Sequence, residues 1–406
     1  MTHPSGFSCF ARLSLCLSLP ALAVGLTLLP AEAEASRVVY INTEPVTVVT
    51  GSNDPAMNAI NVNGYTETDF DGWAGATPEQ VQEMFHLLRD VSVEFDIVFT
   101  LERPASGEYD MIVYGSADDH AASFGGTCSV QRGLSDCADG GGVSIGFMYW
   151  GCLGAADQFD PARVAFHTLG SLGYGWGLEN ISGVGQIMAS WSATALKWGD
   201  ACANLSGNAG CTHDGCAGGQ QNSTADLLAS VGARVDDGPP VLTVVSPQPG
   251  DDVTAPFDVV VEIDDAFGGL VGSLELVELG VDPIVDDSWP YGWAGLNVGA
   301  GPLTLRVSAT DADGNVVSTD VPVCVGGGCP DTGDTTGDTT GDTGDTTDGT
   351  TTDGGDEVFG DDLGAGDDEG GCSCASEPGS GGAAGTLGLL GLLGLGLGLG
   401  LRRRRR

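Results

Sequence analysis

The sequence predicts a mixed α/β (α+β) domain over residues 37–235, an all-β sandwich over 239–325, then a disordered acidic linker and an apolar C-terminal span. Three observations carry that expectation. In the first half a capped amphipathic helix is interleaved with short β-branched and aromatic runs. In the second, runs of period two are separated by turn residues. Beyond residue 330 the composition collapses to Thr, Gly and Asp, and then to Gly and Leu.

Thr77-Pro78-Glu79-Gln80 is a helix start, with Thr77 as N-cap, Pro78 in the first turn and Glu79 on the positive end of the helix dipole. Val81, Met84, Phe85 and Leu88 then recur at helical spacing and give one apolar face. The runs Phe95 to Thr100, Tyr109 to Tyr114 and Val143 to Met148 are rich in β-branched or aromatic residues and predict the sheet that this helix covers. Asp160-Pro161 opens a second helix that carries His167 and, one turn on, Ser171. In the second domain, Val241 to Val245, Phe257 to Ile263 and Leu303 to Val307 alternate with period two. Pro249-Gly250 and Asp313-Gly314-Asn315 supply turns.

The stretch Phe166-His167-Thr168-Leu169-Gly170-Ser171, then Gly177-Leu178-Glu179-Asn180, then Met188 resembles the active-site region of the metzincin zinc peptidases. Their motif, H-E-x-x-H-x-x-G-x-x-H followed by a methionine turn, builds a three-histidine tripod for Zn²⁺ and places a glutamate beside it to polarise the bound water. The resemblance puts His167 at the first ligand position, Thr168 at the general base, Ser171 at the second ligand and Asn180 at the third, with Met188 in the methionine turn and Glu179 beside the vacated ligand. It therefore implies a metallopeptidase-like fold from which zinc catalysis has been lost. Loss of the base alone costs roughly two to four orders of magnitude in rate. The stretch Cys216 to Ser223, leading into Asp226-Leu227-Leu228, is similar to the close of metzincin-like domains in exported bacterial surface proteins. Read without the resemblance, His167 is a packed histidine in an apolar helix. Ser171 and His167 as a Ser/His hydrolase pair lack a nucleophile elbow and a third member.

Residues 239–325 resemble a bacterial Ig-like module, whose last hairpin reads Ala-Thr-Asp-x-x-Gly-Asn as Ala309 to Asn315 does; the default role of such a module is a spacer. Asp311 and Asp313 could help hold calcium, or simply form a solvated turn.

Residues 1–35 read as a secretory signal peptide: Arg12, an apolar run from Leu13 to Leu29, and small residues at A-x-A spacing from Ala31 to Ala35. Ten of the 12 cysteines lie beyond it, and export makes pairing the default. Six of them, Cys128, Cys137, Cys152, Cys202, Cys211 and Cys216, admit 15 connectivities, and Cys324 with Cys329 could close a small loop. A zinc site from Cys211, His213 and Cys216 is the alternative to disulfides there. With 14 Lys and Arg against 56 Asp and Glu, the charge of -42 excludes nucleic acid as a partner.

Residues 331–371 hold 14 acidic residues and no basic ones and predict an extended tether. In 372–406, Cys372 and Cys374, an apolar run at 383–401 and Arg402 to Arg406 resemble the MYXO-CTERM sorting signal. A helix of that length, at about 1.5 Å per residue, just crosses a bilayer core of about 30 Å, and the arginines stay cytoplasmic. The resemblance implies a membrane sorting protease as partner and display at the cell surface. The expected function is binding or structural, toward an extracellular ligand or surface polymer, with no cofactor. The alternatives are a zinc endopeptidase whose ligands have moved to His120, His213 or Glu179, and an adhesin.

Overall fold

The computed structural model describes residues 36–133, 137, 143–192, 196–206, 210–213, 215–236, 238–327 and 329. The expected signal peptide at 1–35, the tether at 331–371, Cys372, Cys374 and the span at 383–401 lie outside the described residues. Among the described residues no helix is long and apolar enough to cross a membrane. The described chain is mixed α and β and dominated by sheet.

The first half runs β1 (Arg37–Asn42), β2 (Val46–Thr50), β3 (Ala59–Ile60), β4 (Thr68–Phe70), α1 (Pro78–Val91), β5 (Ile97–Thr100), β6 (Asp110–Gly115), α2 (Ala117–Ser123), β7 (Gln131–Arg132), β8 (Ile145–Tyr149), α3 (Pro161–Gly175), β9 (Ala203–Asn204), β10 (Gln220–Gln221) and α4 (Ser223–Ser230). Its main sheet has the order β5-β1-β6-β8-β7. The first four strands are parallel, and β7 is an antiparallel edge. The three expected strands are β5, β6 and β8. Strand β1, paired between β5 and β6, is an addition to the expected set.

Strand β6 is buried along its whole length because both faces of the sheet are covered. Ile112 and Tyr114 pack with Val39 and Ile41 of β1 beneath α1 and α3, together with Met84, Leu88 and Leu169. Met111 and Val113 face the other way, toward Val48, Ile60 and Phe70 of the small sheet β3-β2-β4. Helix α1 begins where expected: Gln80 N–H donates to Thr77 Oγ1 at 3.2 Å, and Thr77 N–H donates to Gln80 Oε1 at 2.9 Å. Below α3, the buried Asp110 carboxylate accepts from Arg37 Nε (2.7 Å), Ser144 N–H (2.7 Å) and Trp176 Nε1 (3.0 Å), tying the start of the sheet to the end of the helix.

The second half is a two-sheet sandwich. It contains β11 (Val241–Ser246), β12 (Asp252–Val253), β13 (Phe257–Asp264), β14 (Val271–Leu276), β15 (Ile284–Asp286), β16 (Gly292–Leu296), β17 (Gly301–Thr310) and β18 (Val316–Val325). The sheets are β11-β13-β16 and β12-β18-β17-β14-β15. Val259, Val261 and Ile263 of β13 point inward at period two and meet Leu274, Leu305, Val307 and Val323 across the core.

The sandwich is packed against the first half. Arg89 of α1, almost fully buried, donates to Asp264 Oδ1 and to the Phe267 carbonyl, both at 3.1 Å. Gly269 N–H donates to Asp90 at 2.8 Å, and Arg234 pairs with Asp313. His86 stacks on Trp289 with ring centroids 5.3 Å apart.

The cysteines form disulfides Cys128–Cys152, Cys137–Cys211, Cys202–Cys216 and Cys324–Cys329. This corrects the Cys211, His213, Cys216 zinc alternative, since both sulfurs are committed elsewhere. Asp311 is likewise occupied within its turn, accepting from the Asp313 and Asn315 N–H groups, while Asp313 holds Arg234.

Candidate functional site

Helix α3 starts at the Asp160 cap, whose carboxylate accepts from the Ala162 and Arg163 N–H groups. That start sets which residues face β7 and which face the core. His167 faces the β7 edge. Its Nδ1 lies 2.9 Å from Gln131 Oε1, an acceptor, so Nδ1–H donates there. Burial, and then the Arg163 charge one turn away, hold the His167 imidazolium far down, to about 3. Its Nε2 is buried with no hydrogen-bond partner among the described residues.

The Gln131 carboxamide does more than bond the ring. It lies across α3 over Gly170, where a Cβ would come within 2.6 Å of Gln131 Oε1. Gln131 Nε2 then donates to Tyr174 Oη at 3.2 Å, and Tyr174 O–H donates to Asn180 Oδ1 at 2.8 Å. The positions expected to be the first and third ligands, His167 and Asn180, are thus bridged by an amide and a phenol that occupy the space between them. Gly133 completes the closure: a Cβ there would sit 2.4 Å from the Ser171 carbonyl, so the backbone after β7 lies directly on the helix.

The other expected positions point elsewhere. Ser171 is buried and donates to the Phe147 carbonyl of β8 at 2.7 Å, so its hydroxyl serves the sheet. Thr168 is fully buried, with Oγ1 2.7 Å from Tyr114 Oη in the helix–sheet core. Met188 is buried with φ of 73°, its sulfur 2.6 Å from where a Cβ on Gly173 would stand, so it packs tightly against α3.

Glu179 belongs to a separate cluster. It accepts from the N–H groups of Gly210 (2.8 Å) and Cys211 (3.1 Å) and lies 3.2 Å from His213 Nε2. The other His213 nitrogen is 2.8 Å from Asp226 Oδ2. Burial pushes the Glu179 carboxyl up, but these hydrogen bonds and the adjacent His213 outweigh it and hold the group below the usual carboxylate range. The cluster clamps the Cys211 segment onto α4.

His120 is in a third place, on α2, where its Nε2 accepts from Ser129 N–H at 3.2 Å. The relocation of zinc ligands to His120, His213 or Glu179 therefore has no geometric support: the three histidines are engaged in three different neighbourhoods. Among the described residues no group of three His, Cys, Asp or Glu converges on His167. Zinc needs three or four nitrogen, sulfur or carboxylate donors around one point. One imidazole with two carboxamides and a phenol does not fit it.

No family model and no curated protein matches the chain. Similar solved structures include the Clostridium thermocellum CbhA fibronectin(III)-like modules, at 21% identity over 21% of this chain and 94% of that one, with a TM-score of 0.19. CopC from Methylosinus trichosporium OB3b matches at 18% identity over 21% and 92%, TM-score 0.17. An endo-beta-1,4-mannanase from Thermotoga petrophila matches at 16% identity over 25% and 23%, TM-score 0.17. Likenesses at this level identify neither a family nor an activity.

Proposed function

We propose that this chain is an exported surface protein whose first domain keeps a metzincin-like frame without zinc catalysis and acts in binding or as a structural element. The observation that carries the reading is the occupation of the space between His167 and Asn180 by Gln131 and Tyr174, which engage His167 Nδ1 and Asn180 Oδ1. The element order also supports it: a capped helix, parallel strands, a helix carrying His167, then a buried methionine. The second domain, proposed as Ig-like, and the acidic tether beyond it would hold the first domain away from the membrane. The tail, with Cys372 and Cys374, would be the substrate of a membrane sorting protease.

Elemental analysis and a peptide-cleavage assay on the purified oxidised full-length chain test this reading. The expected result is no stoichiometric zinc and no chelator-sensitive cleavage, with partner or polymer binding unchanged in His167→Ala. Cleavage that a chelator abolishes and His167→Ala removes would overturn it.

A further inference from the structure

Away from α3, one cluster combines metal-ligating side chains with a covalent gate. His120 of α2 lies beside the Cys128–Cys152 disulfide, and one ligand atom from each of the three residues falls within 4.8 Å of the others. We propose that these residues form a redox-gated site for a soft divalent cation, with Zn²⁺ as the expected occupant. The site is closed while the disulfide stands and becomes available after a dithiol reductant opens it.

The chemistry balances. A dithiol delivers two electrons and two protons to the disulfide, the S–S bond breaks, and the dithiol becomes its own disulfide. The cation then displaces the two thiol protons and takes two thiolates and one imidazole nitrogen, with water completing four-coordination. Two sulfurs and one nitrogen are the donors that zinc prefers over harder cations.

The decisive feature is that backbone packing, independent of the S–S bond, holds all three residues in place. Cys152 follows Gly151, where a Cβ would stand 2.3 Å from the Ala117 backbone nitrogen, so this turn is pressed onto the start of α2. Cys128 precedes Ser129 and Val130. Ser129 N–H donates to His120 Nε2, and the Val130 carbonyl accepts from Tyr149 N–H at 2.7 Å as β7 joins β8. His120 is fully buried, with the Tyr149 ring edge-on at 4.8 Å. Reduction therefore leaves the three ligands near one point. Cys128 is exposed, which gives a reductant and then a cation a way in.

Hydrogen bonding agrees with this geometry. Because Ser129 N–H donates to His120 Nε2, that nitrogen carries a lone pair rather than a proton. That lone pair is now used by Ser129 N–H, and the cation would take it over.

The test is Co²⁺ titration of the purified full-length chain, read by sulfur-to-cobalt charge transfer and tetrahedral d–d absorption. It is run oxidised and after reduction with a phosphine, which ligates weakly and is removed first. The expected result is one Co²⁺ per reduced chain with thiolate absorption and none per oxidised chain, with Zn²⁺ displacing the cobalt. Cys128→Ser, at an exposed position, removes the spectrum. His120→Gln weakens binding by at least about tenfold, the scale of a perturbed ligand shell. The Cys202→Ser, Cys216→Ser double variant keeps both. Absence of thiolate-bound cobalt in the reduced chain overturns the proposal, as does binding that survives Cys128→Ser or is unaffected by His120→Gln. Failure here leaves the His167 reading standing, since that reading concerns the oxidised chain and a different variant.

Discussion

At the scale of single residues, the two histidines with the most strongly lowered values set how the protein responds to acid. Burial first, and then a neighbouring arginine, hold the His167 imidazolium to about 3 and that of His86 to about 4; Asp264 raises His86 only partly back. Both rings are neutral in the native state at neutral pH, and both protonate near their ordinary value, about 6.5, once unfolded. Between about 6.5 and the native values the unfolded chain binds more protons, so stability rises with pH across that window and falls on acidification. Glu179 adds to the loss further down: its lowered carboxyl contributes stability above the unfolded value that disappears as pH falls through the folded one. Urea unfolding of the His167→Gln, His86→Gln double variant should give a flatter stability profile from about pH 6.5 to 4 than the parent, because the protons taken up on unfolding are gone. An unchanged slope would mean that neither ring is held neutral. Glutamine at 167 can still bond Gln131 but cannot be protonated, which separates titration from lost packing.

Among secondary-structure elements, the contact between β7 and α3 determines what has become of the peptidase-like site. A two-residue strand carries no readable period, so Gln131–Arg132 gave no signal as a strand, and Gln131 gave none as the group that fills the ligand space. Gly170 makes the fit possible. Gly170→Ala puts a methyl where the Gln131 amide lies, and that amide is the far end of a flexible side chain. The amide should swing away, while alanine gains up to about 1 kcal/mol of helix propensity over glycine. The expected outcome is global stability within about 1 kcal/mol of the parent, with a clear change in the His167 ring-nitrogen resonances as the Nδ1 bond is lost. Retained resonances would show that the carboxamide does not depend on this gap. The elements that were legible had local physics behind them: Thr77 and Gln80 close their box, Asp160 caps α3, and Phe257 to Ile263 alternate because one face meets the core. Arg37–Asn42 escapes pattern reading because β1 is an interior strand packed on both faces, leaving a run of Val and Ile without alternation. Where Ser171 and Glu179 point depends on partners distant in sequence, Phe147 and His213, which no spacing rule supplies.

At the scale of the whole described molecule, the sandwich and the α/β half meet through groups that neither would bury alone. The Arg89 guanidinium is almost fully buried and has its acceptors, Asp264 and the Phe267 carbonyl, on the other half. Removing those acceptors would leave a buried charge unpaired, which costs several kcal/mol. Gly268 lets the two backbones approach: a Cβ there would stand 2.3 Å from the Arg89 carbonyl carbon and 2.4 Å from the Asp90 nitrogen. Backbone cannot step aside as a side chain can, so Gly268→Ala must push the halves apart and weaken the Arg89, Asp90 and His86 contacts together, by about 1–3 kcal/mol on the scale of overpacked sites. Calorimetry of the parent should show the two halves unfolding in one coupled transition, and Gly268→Ala should split it or broaden it toward two. Gly299→Ala is the control, because a Cβ there meets nothing within 4 Å. Two independent transitions in the parent would instead make the sandwich a free spacer after all. A single transition means that any ligand of the α/β half is presented on a fixed base.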